Sequence, residues 1–399
     1  MLFFFLLFLA VFNRIIYKSS LNPIFLQSVL WLVYYSLLCL NIKSYDIHLY
    51  QVSQFILFQS VGFSLGGFIC FLFTRKSSFQ NLNPLTEESI NISQRNLQIL
   101  FPVFFLLQVA SLLVYVKSTG NVSILAIADV RDTLVEDDGK KFGSYGLIQM
   151  IMAVYLLLIT LSKTKFTMWH KVLVGMFIYY TMLLGSRGQF VYYFITLFYI
   201  LVWQKRISAK KILGSFALIT GLMYVITILR AAKANGQTLT ETLMIYTITS
   251  MPALHIAQFS NSKYFGYNSF RVFYVWLNKF GFNYPLSPIL SEYTLTPLPT
   301  NVYSYIKPYF LDFGYVGIFI LPFLLGFIHH FFYFRARRGS FIFMFLASVL
   351  MYPLLMQVFE ENYFRQFSNI VYSFILTALV AKMNIRVNRS SNSNLQPTN

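Results

Sequence analysis

The chain is 399 residues long, 57% apolar and 19% aromatic, with only 11% charged residues. A soluble domain carries about 25% charged residues, and one soluble core of this size does not hide so much Phe, Leu and Ile; disordered chains are poor in aromatics and are excluded as well. The net charge of +18 sits in short clusters between apolar runs, the pattern of cytoplasmic membrane loops rather than of a nucleic-acid-binding face.

These features predict an all-α polytopic membrane protein, a single integral membrane domain over residues 1–399 in contact with membrane lipids. Apolar runs of spanning length fall at 2–17, 23–41, 52–73, 97–117, 144–161, 168–185, 188–204, 210–229, 313–334, 340–359 and 366–382, about eleven spans. No Lys or Arg precedes the first run, and Arg14 and Lys18 follow it. That is the reverse of a secretory signal, so the run reads as a retained membrane helix. Counting on alternate sides, one side holds 18 positive residues against Glu87 and Glu88, or +16, and the other is nearly balanced at +2. The positive-inside rule makes the +16 side cytoplasmic. The N-terminus is then external, and the 383–399 tail is cytoplasmic. Cys39 and Cys70 fall near opposite ends of their runs and are expected to stay free.

Two external segments are long. Residues 118–143 form an acid-rich loop in which Glu136-Asp137-Asp138 is the one dense acidic cluster, either a solvated patch or a divalent-metal ligand set. Residues 230–312 are too long for a structureless loop and are expected to contain short helices. Thr238 and Glu241 have capping-box spacing, and apolar residues follow from Leu243 to Phe259. That stretch suits an interfacial helix or, alternatively, one more span. No internal repeat is visible, so there is no sign of the two-fold architecture common in transporters.

Phosphate-loop, dinucleotide and zinc-protease signatures are missing from the sequence, and no metal or other cofactor is expected. His329 and His330 lie beside a basic loop and read as interfacial anchors, while His48 and His170 read as lone loop histidines. Gln54, Gln59, Gln108 and Gln149 are polar residues inside apolar runs, where glutamines join helices. Gly185-Ser186-Arg187-Gly188 turns tightly between two runs at the outer face. There Arg187 either snorkels to the interface or grips a phosphate with two hydrogen bonds. Arg230, Arg131 and Arg271 lie on the same side, where positive charge is disfavoured; they fit a diphosphate receptacle or ordinary surface bridges equally well. The large loop is rich in Tyr and Trp, including Trp276, Tyr303 and Tyr309, side chains that suit the membrane interface or a sugar.

The stretch Thr300-Asn-Val-Tyr-Ser-Tyr-Ile-Lys-Pro-Tyr-Phe-Leu-Asp-Phe-Gly-Tyr-Val-Gly317 resembles the segment that closes the large periplasmic loop of Wzy-type O-antigen polymerases, the oligosaccharide repeat-unit polymerase family. The Gly185–Gly188 turn and the eleven-span layout with one large late loop are similar to that family too. The resemblance implies a glycosyltransferase at the outer face of the bacterial inner membrane. It would join polyprenyl-diphosphate-linked oligosaccharides, donor and acceptor, with a chain-length regulator protein as partner and no nucleotide cofactor. Arg187 first, then Arg230, Arg131 and Arg271, would hold the diphosphate, whose leaving charge needs preorganised cations. Asp312 would accept or orient the attacking hydroxyl's proton, unless it caps its helix, and Trp276, Tyr303 and Tyr309 would face sugar. O-antigen ligases share much of this layout, and a lipid-linked oligosaccharide flippase is the non-enzyme alternative.

Overall fold

A computed structural model of the protein describes residues 1–41, 49–75, 94–119, 140–161, 167–183, 187–204, 207, 244–245, 248–256, 264–288, 291–296 and 299–392. In chain order its elements are α1 (Leu2–Tyr17), α2 (Pro23–Leu40), α3 (Leu49–Arg75), α4 (Gln94–Thr119), α5 (Lys140–Leu161), α6 (Met168–Leu183) and α7 (Arg187–Trp203). They continue with α8 (Ser250–Ile256), α9 (Arg271–Lys279), β1 (Thr294–Leu295), β2 (Pro299–Thr300), α10 (Lys307–Arg337), α11 (Phe341–Leu355) and α12 (Phe367–Asn392). The protein is mostly helical and membrane-embedded. Among the described residues, four helical stretches are long and apolar enough to cross a bilayer: Pro23–Leu40, Leu49–Thr74, Gln98–Lys117 and Lys307–Arg337. Helices also occupy the other apolar runs read from the sequence, except 210–229, which lies outside the described residues. Arg131, Arg230, the 136–138 acidic cluster and the Thr238–Glu241 capping box lie outside them too.

The chain forms two compact units, the first from Met1–Leu82, Thr238–Arg338 and Leu350–Ser368. Helix α1 buries Leu2, Leu6, Ala10, Asn13 and Tyr17, one stripe at helical spacing. Its other face exposes Phe4, Phe8, Val11 and Ile15, large apolar side chains that need lipid around them. Asn22 caps α2, its Oδ1 accepting from Ile24 N (2.9 Å) and Phe25 N (3.2 Å), and Pro23 takes the first helical position. Helices α2 and α3 run antiparallel, since Gln27 meets Gln59 and Tyr35 meets Ser53.

The axis of this unit is the parallel pair α3 and α10. Gly62 and Gly66 face the backbone of Phe319 and Phe323, and in return Gly326 faces the backbone of Phe63. Small residues at these positions let two helices meet backbone to backbone. Helix α10 is broken at Gly314 (φ 60°, ψ −145°), a region open essentially to glycine alone. Residues 307–313 are thus a separate helical segment of about two turns ahead of the long helix.

One sequence expectation changes here. His329 and His330 are 1% and 0% exposed, so they are packing residues inside the unit rather than interfacial anchors; His330 pairs with the capping Asn22 at 3.0 Å. Within the Leu243–Phe259 stretch the described residues include the seven-residue α8, with Ser250–Leu254 buried. The Tyr34 hydroxyl donates to Ile248 O (2.8 Å) and accepts from Met251 N (3.1 Å), tying α8 to α2.

The second unit comprises Asn83–Gln237, Gly339–Val349 and Asn369–Asn399. Its centre is α5, where Met152–Ile159 are all at most 3% exposed. The glutamines join helices as expected: Thr181 donates to Gln149 Oε1 (3.2 Å), and Gln149 approaches Gln108 at 3.4 Å. Ser111 donates to Tyr180 (2.8 Å), and Tyr192 pairs with Ser373 (3.1 Å). His170 is not a loop residue; it lies in the first turn of α6, 4% exposed, against Thr167 at 2.7 Å.

Candidate functional site

Within the first unit the Thr300–Gly317 segment buries several polar side chains, and its surroundings define the candidate site. Tyr303, Ser304, Tyr305, Ile306 and Tyr309 are all buried. An irregular backbone at membrane depth survives only where protein satisfies its polar groups, and here it does. Tyr305 N donates to Gln357 O (2.9 Å), and Ser304 Oγ donates to the same carbonyl (3.1 Å). The Tyr305 hydroxyl donates to Gln59 Oε1 (2.8 Å), which also accepts from Gln27 (2.8 Å). Gln59 lies ten residues into α3, about 15 Å along the helix. From Gln357 the network continues to Trp31 Nε1 (3.1 Å) and to the Tyr363 hydroxyl (3.0 Å), which also meets His329 Nε2 (3.0 Å).

The turn 356–366, between α11 and α12, closes this network. Glu361 organises it: Oε1 accepts from Tyr309 Oη (3.0 Å), Tyr363 N (2.8 Å) and Phe364 N (3.0 Å), and Oε2 accepts from Arg365 N (3.1 Å). Burial pushes the Glu361 carboxyl above its ordinary range, opposed by the amides of Phe364 and Arg365 and by Tyr309. Burial also pushes up the hydroxyls of Tyr305 and Tyr363, keeping them neutral. Asn362 is 1% exposed, and among the described residues neither atom of its amide has a hydrogen-bond partner.

Asp312 stands just before the break at Gly314. Its Oδ1 accepts from the Asn268 side chain (2.9 Å), and its Oδ2 accepts from Asn268 N (3.0 Å) and Ser269 N (2.6 Å). The carboxylate thus ties the start of α10 to the 264–270 loop. Phe265 and Phe270 pack on Phe313 in the same place (5.1 and 6.0 Å between ring centres). Arg271 follows, half-buried, with Nε donating to Ser287 O (2.8 Å); burial lowers its pKa.

The three aromatic candidates differ in what they present. Tyr303 and Tyr309 are enclosed, with hydroxyls donating to Glu292 O (2.8 Å) and to Glu361. Trp276 is half-exposed on α9, against Phe273 (5.5 Å) and Phe367 (5.8 Å). Asp312, Arg271, Tyr303, Tyr309 and Trp276 therefore share one unit. Arg187 begins α7 in the other, and Arg131 and Arg230 lie outside the described residues.

Sequence reasoning missed the 360–365 turn. Its signal was available, because Glu360, Glu361 and Arg365 are the only charged residues between Arg338 and Lys382. Lys307 was missed also; its Nζ lies 3.6 Å from the centre of the Tyr303 ring, a cation–π contact. Among the described residues no three His, Cys, Asp or Glu side chains come together as a metal site.

Compared with protein-family models, curated proteins and solved structures, the chain has no significant match in any of the three.

Proposed function

We propose that the protein is a Wzy-type polymerase that transfers a growing glycan from one polyprenyl diphosphate to a repeat unit carried on a second. The observation supporting this reading is that the Thr300–Gly317 segment, whose residues carry the family resemblance, is buried around a broken helix and bears on a turn with charged side chains. The topology proposed with it has eleven spans, an external N-terminus, a periplasmic 230–312 loop and a cytoplasmic tail in a bacterial inner membrane. The acceptor hydroxyl attacks the donor's anomeric carbon, the new C–O bond forms, and the bond to phosphate breaks with its electron pair on the departing diphosphate. Arg271 is the proposed cation for that charge in the unit that holds Asp312; Arg187, Arg230 and Arg131 stay candidates through the family resemblance alone. Asp312 is the proposed proton acceptor: Asn268 N, Asn268 Nδ2 and Ser269 N already donate to it, and a carboxylate accepts about four such bonds, so one site remains for the hydroxyl.

A deletion strain tests the reading on a gel of extracted lipopolysaccharide. Loss of the long-chain ladder with single repeat units retained supports a polymerase. Loss of even the single unit, with polymer accumulating on carrier lipid, identifies a ligase, and a normal ladder refutes both. A lipid-linked oligosaccharide flippase is favoured by one observation, the helix break at Gly314 in the same unit as the buried polar pair Gln59 and Tyr305. In that case the deletion leaves repeat units on the cytoplasmic leaflet, measured by their protection from an external glycosidase.

A further inference from the structure

Arg271 opens α9, and Arg365 lies in the turn before α12. The residues just ahead of them, Phe270 and Phe364, meet edge to face with ring centres 5.0 Å apart. Phe273 and Trp276 pack on Phe367 at 5.5 and 5.8 Å, so α9 is fixed against the turn at further points. The turn is itself held by Glu361, which accepts from the backbone of Tyr363, Phe364 and Arg365 and from the Tyr309 hydroxyl. Two guanidinium groups are thereby kept near one another by rigid contacts, although like charges repel. Partial burial lowers the Arg365 pKa, and the nearby Arg271 charge lowers it further. Among the described residues the Arg271 contact is Nε to Ser287 O, which leaves its two terminal nitrogens for another acceptor. Arg365 pairs with Glu360, and these side chains remain 41% and 46% exposed. An exposed pair of this kind is weak and readily exchanged.

We infer that Arg365 and Arg271 form a two-guanidinium site for a diphosphate-type anion, and that Glu360 is an internal carboxylate competing with that anion for Arg365. This rests on the transferase reading and adds to it a cation from a loop the sequence did not single out. A guanidinium forks two hydrogen bonds onto phosphate oxygens, an exchange that improves on a single exposed carboxylate. Glu361 is then a positioning residue: it aims the turn that carries Arg365 and touches no substrate.

The test uses the full-length protein in phosphatidylcholine nanodiscs, titrated with inorganic pyrophosphate and read by calorimetry. Arg365→Ala is expected to weaken binding about tenfold or more, and Arg365→Lys less. Glu360→Gln is expected to tighten binding several-fold, a gain that a misfolded variant does not produce. Unchanged affinity in both Arg365→Ala and Glu360→Gln overturns the site, as does absence of pyrophosphate binding by the unaltered protein. A second arm replaces part of the lipid with phosphatidylglycerol. If phosphatidylglycerol displaces pyrophosphate from the unaltered protein but not from Arg365→Ala, the anion is a membrane headgroup and the diphosphate assignment falls. Binding is read without polymer, so the site and the polymerase reading fail separately: a lost ladder in the deletion with Arg365-independent binding sinks only the site.

Discussion

Substituting Gly66 by alanine should drive α3 and α10 apart. A Cβ built there overlaps the Phe323 carbonyl oxygen and comes within 2.8 Å of the carbonyl carbon and 3.0 Å of Phe327 N. Heavy atoms in ordinary contact sit about 3.5–4.0 Å apart, and both neighbours are backbone, so no rotamer change relieves the overlap. The helices must separate by roughly 1 Å, which loosens the Gly62–Phe319 and Phe63–Gly326 contacts as well. A gap of that size forfeits on the order of a quarter to a half of each dispersion contact, and overpacking of this kind costs about 1–3 kcal/mol. Gly175 supplies the control. It lies within α6 with nothing inside 4 Å of its Cβ position, so alanine there should be neutral or stabilise by up to about 1 kcal/mol through helix propensity. Thermal midpoints of the detergent-solubilised proteins, followed by size-exclusion recovery, should show Gly66→Ala lower by on the order of 2–10 °C and Gly175→Ala unchanged or higher. An unaltered midpoint for Gly66→Ala, or equal losses for both, refutes the close-approach argument.

Three further outcomes are expected. Asp312→Ala leaves the Asn268 and Ser269 amides without their acceptor, at about 1–3 kcal/mol each, and should speed protease cleavage in the 264–270 loop; Asp312→Asn that abolishes the ladder without changing cleavage marks a proton-transfer role instead. The raised pKa of Glu361, above its ordinary 4.5, means the native state holds that proton more readily than the unfolded chain. Its contribution to stability is full below the ordinary value and is lost as pH rises through the raised one, a slope in the thermal midpoint that Glu361→Gln should flatten. Arg187→Lys keeps charge but loses the fork, so polymer yield should fall substantially, and Arg187→Ala should fall roughly 30- to 1000-fold with normal protein amount; full-length polymer from Arg187→Ala removes that residue from the mechanism.

Helix placement was legible because membrane helices carry their signal locally, as uninterrupted apolar length. Gln59, Gln108 and Gln149 were legible for the same reason, being polar residues that must find partners inside. The break at Gly314 was not, because an apolar run looks alike whether its helix is continuous or bent. His329 and His330 misled by their neighbours: the adjacent arginines suggested an interface, while the partners that bury them, Tyr363 and Asn22, are distant in sequence. Arg271 and Asp312 stood out as charges in a long loop. The Glu360–Arg365 turn hid because its importance comes from Tyr309 and Phe270, which only the folded chain brings beside it.

The glycine seam between α3 and α10 also governs how the protein is made. Residues 76–306 separate the two helices, so at about 5–20 residues per second α3 leaves the ribosome roughly 10–50 s before its partner. The α2–α3 hairpin forms early and already joins Gln27 to Gln59, but Gly62, Gly66 and the second bond to Gln59 wait for Tyr305 and α10. During that interval a small-residue face and an under-bonded amide lie open to lipid or to the insertion machinery. Nascent chains ending before residue 307 should therefore be cleared faster than the full chain, which a pulse-chase of truncations at residue 306 would measure.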